Sequence, residues 1–379
     1  MPATPDPAPD PAPHLVPQPV PLAVRAAAPD ALPVPTAGGL TYRGAGAADA
    51  AAVAALQNAV LEADGAPHRT SEAEVRDELT APWTDPAADW LLGVDAAGEP
   101  RAWMHAFTPP GDVRLARGLL HGGVHPGWRG RGVGREVLAW GLARARQLLA
   151  ASGKDLPARL QTWAEDDAPA AEHRLLERAG LAPVRYWHEL RRDLAEPVTE
   201  VTPADGLRLV PWAPDLDEAT RLAHNDAFRD HWGSEPQTAE QWRRGATHHE
   251  PGWSFLVLDE HPDVAALLAD PDTDEATAAA LRAGEPLVVG YHMASRYPDS
   301  IAARGYPFGY SDLLGARRAY RGRRAAVAAL AAGLRAMAAD GMREASLDVD
   351  TANPSGATGL YASLGYVKAS GSRTYALDL

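Results

Sequence analysis

One plan is written twice in this chain. Residues 124–140 read VHPGWRGRGVGREVLAW and residues 316–330 read ARRAYRGRRAAVAAL; in each, a strand-like run ends in a glycine–arginine turn that opens directly into a helix. The flanking elements repeat too. Strand signals at Leu40–Arg43, Trp90–Val94, Arg101–Phe107 and Arg117–Val124 precede the first turn, with a helix capped near Asp49. After it come a helix to near Leu149, a strand around Arg159–Trp163, a helix over Ala171–Ala179 and the alternating strand PVRYWHELRRDL, residues 183–194.

The second set starts at LRLVP, residues 207–211. It continues with a helix over Leu216–Phe228 and strands at Ser254–Leu258, Leu287–Ala294 and Phe308–Ala316. Beyond the second turn, Val327, Leu330, Leu334 and Met337 form one apolar helical stripe that should stop at Gly341. The strand EASLDVD (residues 344–350), a short helix over Ser355–Leu364 and closing strands from Tyr366 to Leu379 complete it. The recurrence predicts a tandem duplication of class α/β (α+β mixed sheet), each copy a mixed, mostly antiparallel sheet with helices on both faces. The copies are expected at 38–196 and 197–379, joined by linker-like residues 195–206, with acidic residues 259–286 inserted between two strands of the second. Residues 1–37 hold about a third of the 34 prolines and are expected to form a disordered tail.

Composition narrows the function. A net charge of −14 argues against nucleic acid as partner, because phosphate neutralisation dominates that affinity. No stretch approaches the about 18 apolar residues of a membrane span. The N-terminus lacks a secretory pattern, and the 0 cysteines exclude disulfides, thiolate metal sites and a cysteine nucleophile. A cytoplasmic monomer or homodimer is expected, with no metal: the pair His248–His249 has no nearby carboxylate set.

A glycine-spaced turn entering a helix presents several backbone N–H groups and the positive helix end to one anion. Arg129, Arg131 and Arg135 add charge-assisted donors. The dinucleotide fingerprint would need glycine or alanine where Arg135 stands, and no Gly-Lys-Ser/Thr triplet follows for a triphosphate loop. What fits is Q/R-x-x-G-x-G/A, as Arg129, Gly132 and Gly134, with Val124 at the strand end. This resembles the pyrophosphate loop of the GNAT superfamily of N-acetyltransferases, and the resemblance covers about residues 38–379. It implies acetyl-CoA as co-substrate, held by Val124, Arg129, Gly130, Arg131, Gly132, Val133, Gly134 and Arg135. In the second copy the matching positions are Ala316, Arg321, Gly322, Arg323, Arg324, Ala325 and Ala326. There Arg324 replaces the middle glycine, so its backbone N–H serves only if its side chain swings clear.

LDVDTANPSGATGLYASLGY, from residue 347, resembles the later GNAT segment Asn-x-x-A-x-x-L-Y followed by glycine and an aromatic residue. The resemblance makes Tyr361 the acid that protonates the leaving thiolate and adds Asn353 to the cofactor set. A phenol suits that role, being neutral at pH 7. The first copy has Leu176 at the equivalent place. A GNAT base is often a carboxylate on the strand before the loop, which singles out Asp312, expected on the face of Leu314 and Ala316. Asp348, Asp350, His231 and His292 are rivals. FRDHWG, residues 228–233, sits where GNATs place a substrate wall, so His231 and Trp232 are expected to bind the acceptor. The arrangement looks like tandem GNAT proteins of the mycothiol synthase type, with chemistry in the C-terminal half. The expected function is N-acetylation of a small polar amine, mycothiol-precursor-like or antibiotic-like; the alternative is a non-catalytic acyl-CoA-binding protein, which would not require Tyr361.

Overall fold

The computed structural model describes residues 20–352 and 357–379. The first half of the chain runs α1 (Leu22–Arg25), β1 (Thr41–Arg43), α2 (Ala50–Ala63), α3 (Glu72–Leu79), α4 (Pro86–Asp89), β2 (Trp90–Val94), β3 (Pro100–Phe107), β4 (Ala116–Val124), α5 (Val133–Ala151), β5 (Ala158–Glu165), α6 (Ala170–Arg178) and β6 (Ala182–Asp193). The second runs β7 (Leu207–Pro211), α7 (Asp217–Ala227), α8 (Ala239–Arg244), β8 (Phe255–Asp259), α9 (Val264–Ala269), α10 (Glu275–Ala283), β9 (Leu287–Ser295), α11 (Ile301–Arg304), β10 (Phe308–Ala316), α12 (Ala325–Ala339), β11 (Glu344–Asp350), α13 (Ala357–Ser363) and β12 (Val367–Asp378). The acidic insertion is α9 and α10.

The strands form one 12-stranded sheet, ordered β1-β2-β3-β4-β5-β12-β6-β11-β10-β9-β8-β7. Only β4 with β5 and β10 with β11 are parallel; the remaining neighbours are antiparallel. The two halves have exchanged their last strands. β6, from the first half, lies beside β11, while β12, from the second, pairs with β5 along Asp378–Ser372. Sequence order suggested that each closing strand completes its own copy, with a boundary at 196. Instead, the exchange covers what would have been a bare edge on each copy, and paired edges do not template aggregation.

Helices cover both faces. α5 packs on β3 and β4, and α12 on β8, β9 and β10, with Leu330, Leu334 and Met337 fully buried as their spacing required. α7 lies on the opposite side over Tyr291, Met293 and Leu313. No helix among the described residues is long and apolar enough to cross a membrane.

The disordered-tail expectation fails over residues 20–37. Leu22 and Ala26 are 1% and 0% exposed, and Arg25 donates to the Leu156 and Leu379 carbonyls at 2.6 and 2.7 Å. The signal missed was the i,i+4 apolar pair Leu22 and Ala26 inside a proline-rich composition. Residues 1–19 of that tail lie outside the described residues.

Candidate active site

The parallel pairs decide where a substrate can enter. β10 hydrogen-bonds β11 only over Phe308–Tyr310 against Glu344–Ser346. Beyond that β10 stays with β9 and β11 with β6, so the two strands separate and a slot opens between them. The first half repeats this, with β4 paired to β5 only over Ala116–Leu119. One feature differs. β10 carries a bulge between Ser311 and Leu313, whereas β4 pairs with β3 without a break from Leu119 to Val124. A bulge re-aims a side chain, and here the extra residue is Asp312.

The bulge corrects the alternation expected for Asp312. Its carboxylate is turned to the side of Tyr310 and accepts from Tyr297 Oη at 3.2 Å. One edge is open to solvent, yet crowding on the others lifts the carboxyl to about 6, burial outweighing the hydrogen bonds of Ser295 and Tyr297. Tyr310 donates to Asp348 at 2.6 Å on the same side.

Tyr361 stands on the other face of the sheet, on α13. It is 8% exposed and packs in one core with Leu330, Leu334, Leu347 and Val349, its ring edge-on to Tyr366 at 5.7 Å. Successive strand residues point to opposite faces, so Leu347 and Val349 on Tyr361's side place Asp348 on the Asp312 side. Burial pushes the phenol up to about 12, which keeps it protonated at neutral pH. A buried phenol and a carboxylate with one edge open thus flank one slot from opposite faces.

Both glycine–arginine turns keep the same backbone. Gly130 and Gly132 have φ of +75° and +85°, Gly322 and Arg324 +79° and +60°. Arg324 therefore holds the left-handed conformation that glycine holds in the first copy. The N–H groups opening α5 and α12 lack intrahelical acceptors and remain available to an anion. The leading arginine of each motif is placed differently from the phosphate contact expected. Arg129 binds Asp64 through both terminal nitrogens at 2.6 and 2.7 Å and also the Val124 carbonyl. Arg321 donates to the Ala227 carbonyl at 3.0 Å and lies 3.6 Å from Asp230. Each ties its turn to the segment after the half's first long helix. Arg323 donates to the Asp205 carbonyl. Val124 and Ala316 end their strands, Arg131 stacks over Trp128 at 5.5 Å, and Val133 and Ala325 are buried at the helix starts, with Gly134 and Ala326 following. Beside the first turn, a cavity of about 800 Å³ between α5 and α6 is lined by Arg135, Arg146, Arg174 and Arg178.

The other expected residues fall as follows. His231 Nδ1 is 3.1 Å from the Trp232 carbonyl and its Nε2 3.9 Å from Asp350. The guanidinium groups of Arg159 and Arg185 lie over the Trp232 ring, at 5.3 and 5.4 Å. The FRDHWG loop thus docks on the first half, where Arg117 also donates to the Gly233 carbonyl. Asp350 is bound by Arg185 and fully buried. His292 is under α12, its Nε2 2.8 Å from Ser311 Oγ, with burial lowering it to about 4. His292 does not face the Asp312 side, whereas Asp350, two residues beyond Asp348 on β11, shares that face but is buried against Arg185. Asn353 lies outside the described residues.

Sequence reading missed two residues of the open face. Glu165 ends β5, raised to about 7 by burial and by Asp348, Asp167 and Glu189. Trp163 is 46% exposed, with the His121 ring tilted against it at 4.3 Å. Only the exchange of β12 brings this strand toward the second half.

Comparisons agree with this geometry. Residues 220–366 match the model of the Acetyltransferase (GNAT) family. The chain is 30% identical over 326 residues to a mycothiol acetyltransferase of Thermobispora bispora, covering 84% of this chain and 93% of that protein. It is 31% identical over 261 residues to the mycothiol acetyltransferase of Streptomyces scabiei, covering 68% of each. Among solved structures, a GCN5-related N-acetyltransferase from Sphaerobacter thermophilus superposes with TM-score 0.62 at 24% identity, over 93% of this chain and 96% of that one. A tandem GNAT protein from the clavulanic acid biosynthesis pathway gives 0.60 at 17%, over 89% and 98%. With these relatives, the twofold slot and the glycine turns, the chain belongs to the GNAT acetyltransferase family and is an acetyl-CoA-dependent N-acetyltransferase.

Proposed function

We propose that the second half performs the transfer and that the acceptor is a small polar primary amine of the mycothiol-precursor kind, reached from the Asp312 side in the cytoplasm. The observation that carries this reading is the bulge at Asp312, opposite Tyr361 across the β10–β11 slot. The turn at Gly322–Ala326 and its helix end receive the cofactor's phosphates, leaving the thioester to enter the slot.

Asp312, basic above about 6, takes a proton from the acceptor ammonium. The freed amine attacks the thioester carbonyl, a C–N bond forms, the C–S bond breaks, and Tyr361 supplies the proton that leaves with sulfur as the thiol. The amide nitrogen sheds its remaining extra proton to solvent, and the phenol is reprotonated from water. Around the open face, Glu165 and Asp348 favour a cationic acceptor, and the exposed Trp163 offers a sugar or ring a stacking surface. The mycothiol acetyltransferase relatives support a mycothiol-precursor-like acceptor.

The first half, with Leu176 6% exposed where Tyr361 stands in the second and an unbulged β4, holds cofactor without catalysing transfer. Steady-state acetylation of a mycothiol-precursor amine tests the assignment: Tyr361→Phe is expected to lower kcat by about 10²-fold with acetyl-CoA affinity retained. Full activity in that variant would remove the phenol from the reaction.

A further inference from the structure

The segment 20–37 lies along α5. Arg146 donates to the Ala26 carbonyl at 2.7 Å and Gln147 to the Pro29 carbonyl at 2.9 Å. At the other end of the helix, the Glu136 carboxylate accepts the N–H groups of Thr36 and Ala37 at 2.6 and 2.8 Å. The segment is therefore pinned at both ends of α5, and between the pins it borders the α5–α6 cavity, where Ala27 and Pro29 form one wall.

Three further observations concern that cavity. It begins at Gly132, where the phosphate turn enters the helix, and its volume of about 800 Å³ lies within the size range of a pocket for a cofactor-sized ligand. Arg174 and Arg178 on its rim have no carboxylate ion-pair partner among the described residues, while Arg135 beside them interacts with Glu136. At the second turn, by contrast, Arg318 is paired with Asp230 and Asp272, at 3.1 and 3.0 Å. Finally, Ala27 has φ +45°, one of two non-glycine residues with positive φ among those described. A strained backbone angle persists only where surrounding contacts over-determine it, and here it bends the segment over the cavity mouth.

We propose that residues 26–37 are the third wall of the first half's cofactor site, closing the α5–α6 groove over the phosphorylated adenosine end of acetyl-CoA. The pyrophosphate lies on the turn at Gly132; the ribose phosphate meets Arg174 and Arg178 on the rim; Leu138, Leu142 and Leu175 give the purine an apolar floor. The segment thereby sets affinity at this site alone. This rests on the reading that the first half holds acetyl-CoA.

Ala27 is exposed, so its side chain can be changed without disturbing the core, and glutamate and lysine keep the same Cβ at the strained position. Calorimetric titration of the full chain with acetyl-CoA counts the sites, and loss of one in Gly132→Val identifies the first-half site. Ala27→Glu is expected to weaken that site by about tenfold, the scale of one charged hydrogen bond, while Ala27→Lys holds or strengthens it. Melting temperature and the remaining site should be unchanged in both. A first-half site that binds equally in the two variants overturns the wall and leaves the cofactor reading standing. A wild-type chain with no Gly132-sensitive site overturns both.

Discussion

The two glycine–arginine turns differ at one backbone position, Gly132 against Arg324, yet both fold to the left-handed conformation there. A non-glycine residue pays about 1–2 kcal/mol for that angle, so the second turn keeps the first turn's backbone shape at a cost the first avoids. The halves differ in the opposite sense at the slot. The second has the bulge with Asp312 and the buried phenol of Tyr361; the first has an unbroken β4 and Leu176. Binding shape and chemical groups are separable, and transition-state chemistry follows the groups, because uniform binding does not raise turnover.

The sharpest way to break this comparison is to move the acid. Tyr361→Phe should cost about 10²-fold in kcat, whereas Leu176→Phe, aromatic but equally unable to donate, should leave kcat within about twofold of wild type. A comparable loss at Leu176 would place chemistry in both halves. Next is pH. Asp312 must be deprotonated to accept a proton, so kcat/KM should rise with pH through about 6 and level off above it. Asp312→Asn should lower the plateau and abolish the limb; a wild-type profile with that limb intact in Asp312→Asn would assign it to another group.

Stability sharpens the contrast at the chain's edges. Deleting residues 1–36 removes the burial of Leu22, worth about 1.5–3 kcal/mol, as well as the hydrogen bonds on α5. A lower midpoint of denaturant unfolding is expected, and an unchanged midpoint would mean that the segment does not stay docked. The smallest effect belongs to Arg324→Gly, which relieves the positive φ and should stabilise the folded chain by about 1 kcal/mol or less, because glycine also loses more freedom on folding. A marked destabilisation would indicate that the Arg324 side chain holds something in place.

Much of this was legible in the chain. Element order, the α12 stripe and the glycine turns depend on contacts close in sequence, so periodicity and turn chemistry reveal them. Tyr361 and Asp312 could be named because their surroundings repeat a family pattern. Legibility stopped where long-range pairing took over. Alternation put Asp312 on the wrong face because a bulge depends on how β9 and β10 register, and nothing in PFGYSDLLGA announces the extra residue. The leading arginines read as phosphate ligands because their partners, Asp64 and Asp230, come from distant segments.

By itself the sequence determined a duplicated strand–turn–helix plan, two glycine–arginine turns opening helices and a tyrosine in one half where the other has leucine, since each is local chemistry carried by neighbouring residues. Tertiary structure alone decided that the halves trade closing strands, that Glu165 and Trp163 approach the second half's open face, and that residues 20–37 dock on α5. Those outcomes depend on which unpaired edge and which apolar surface find each other in space, a matter of global burial that local spacing does not encode.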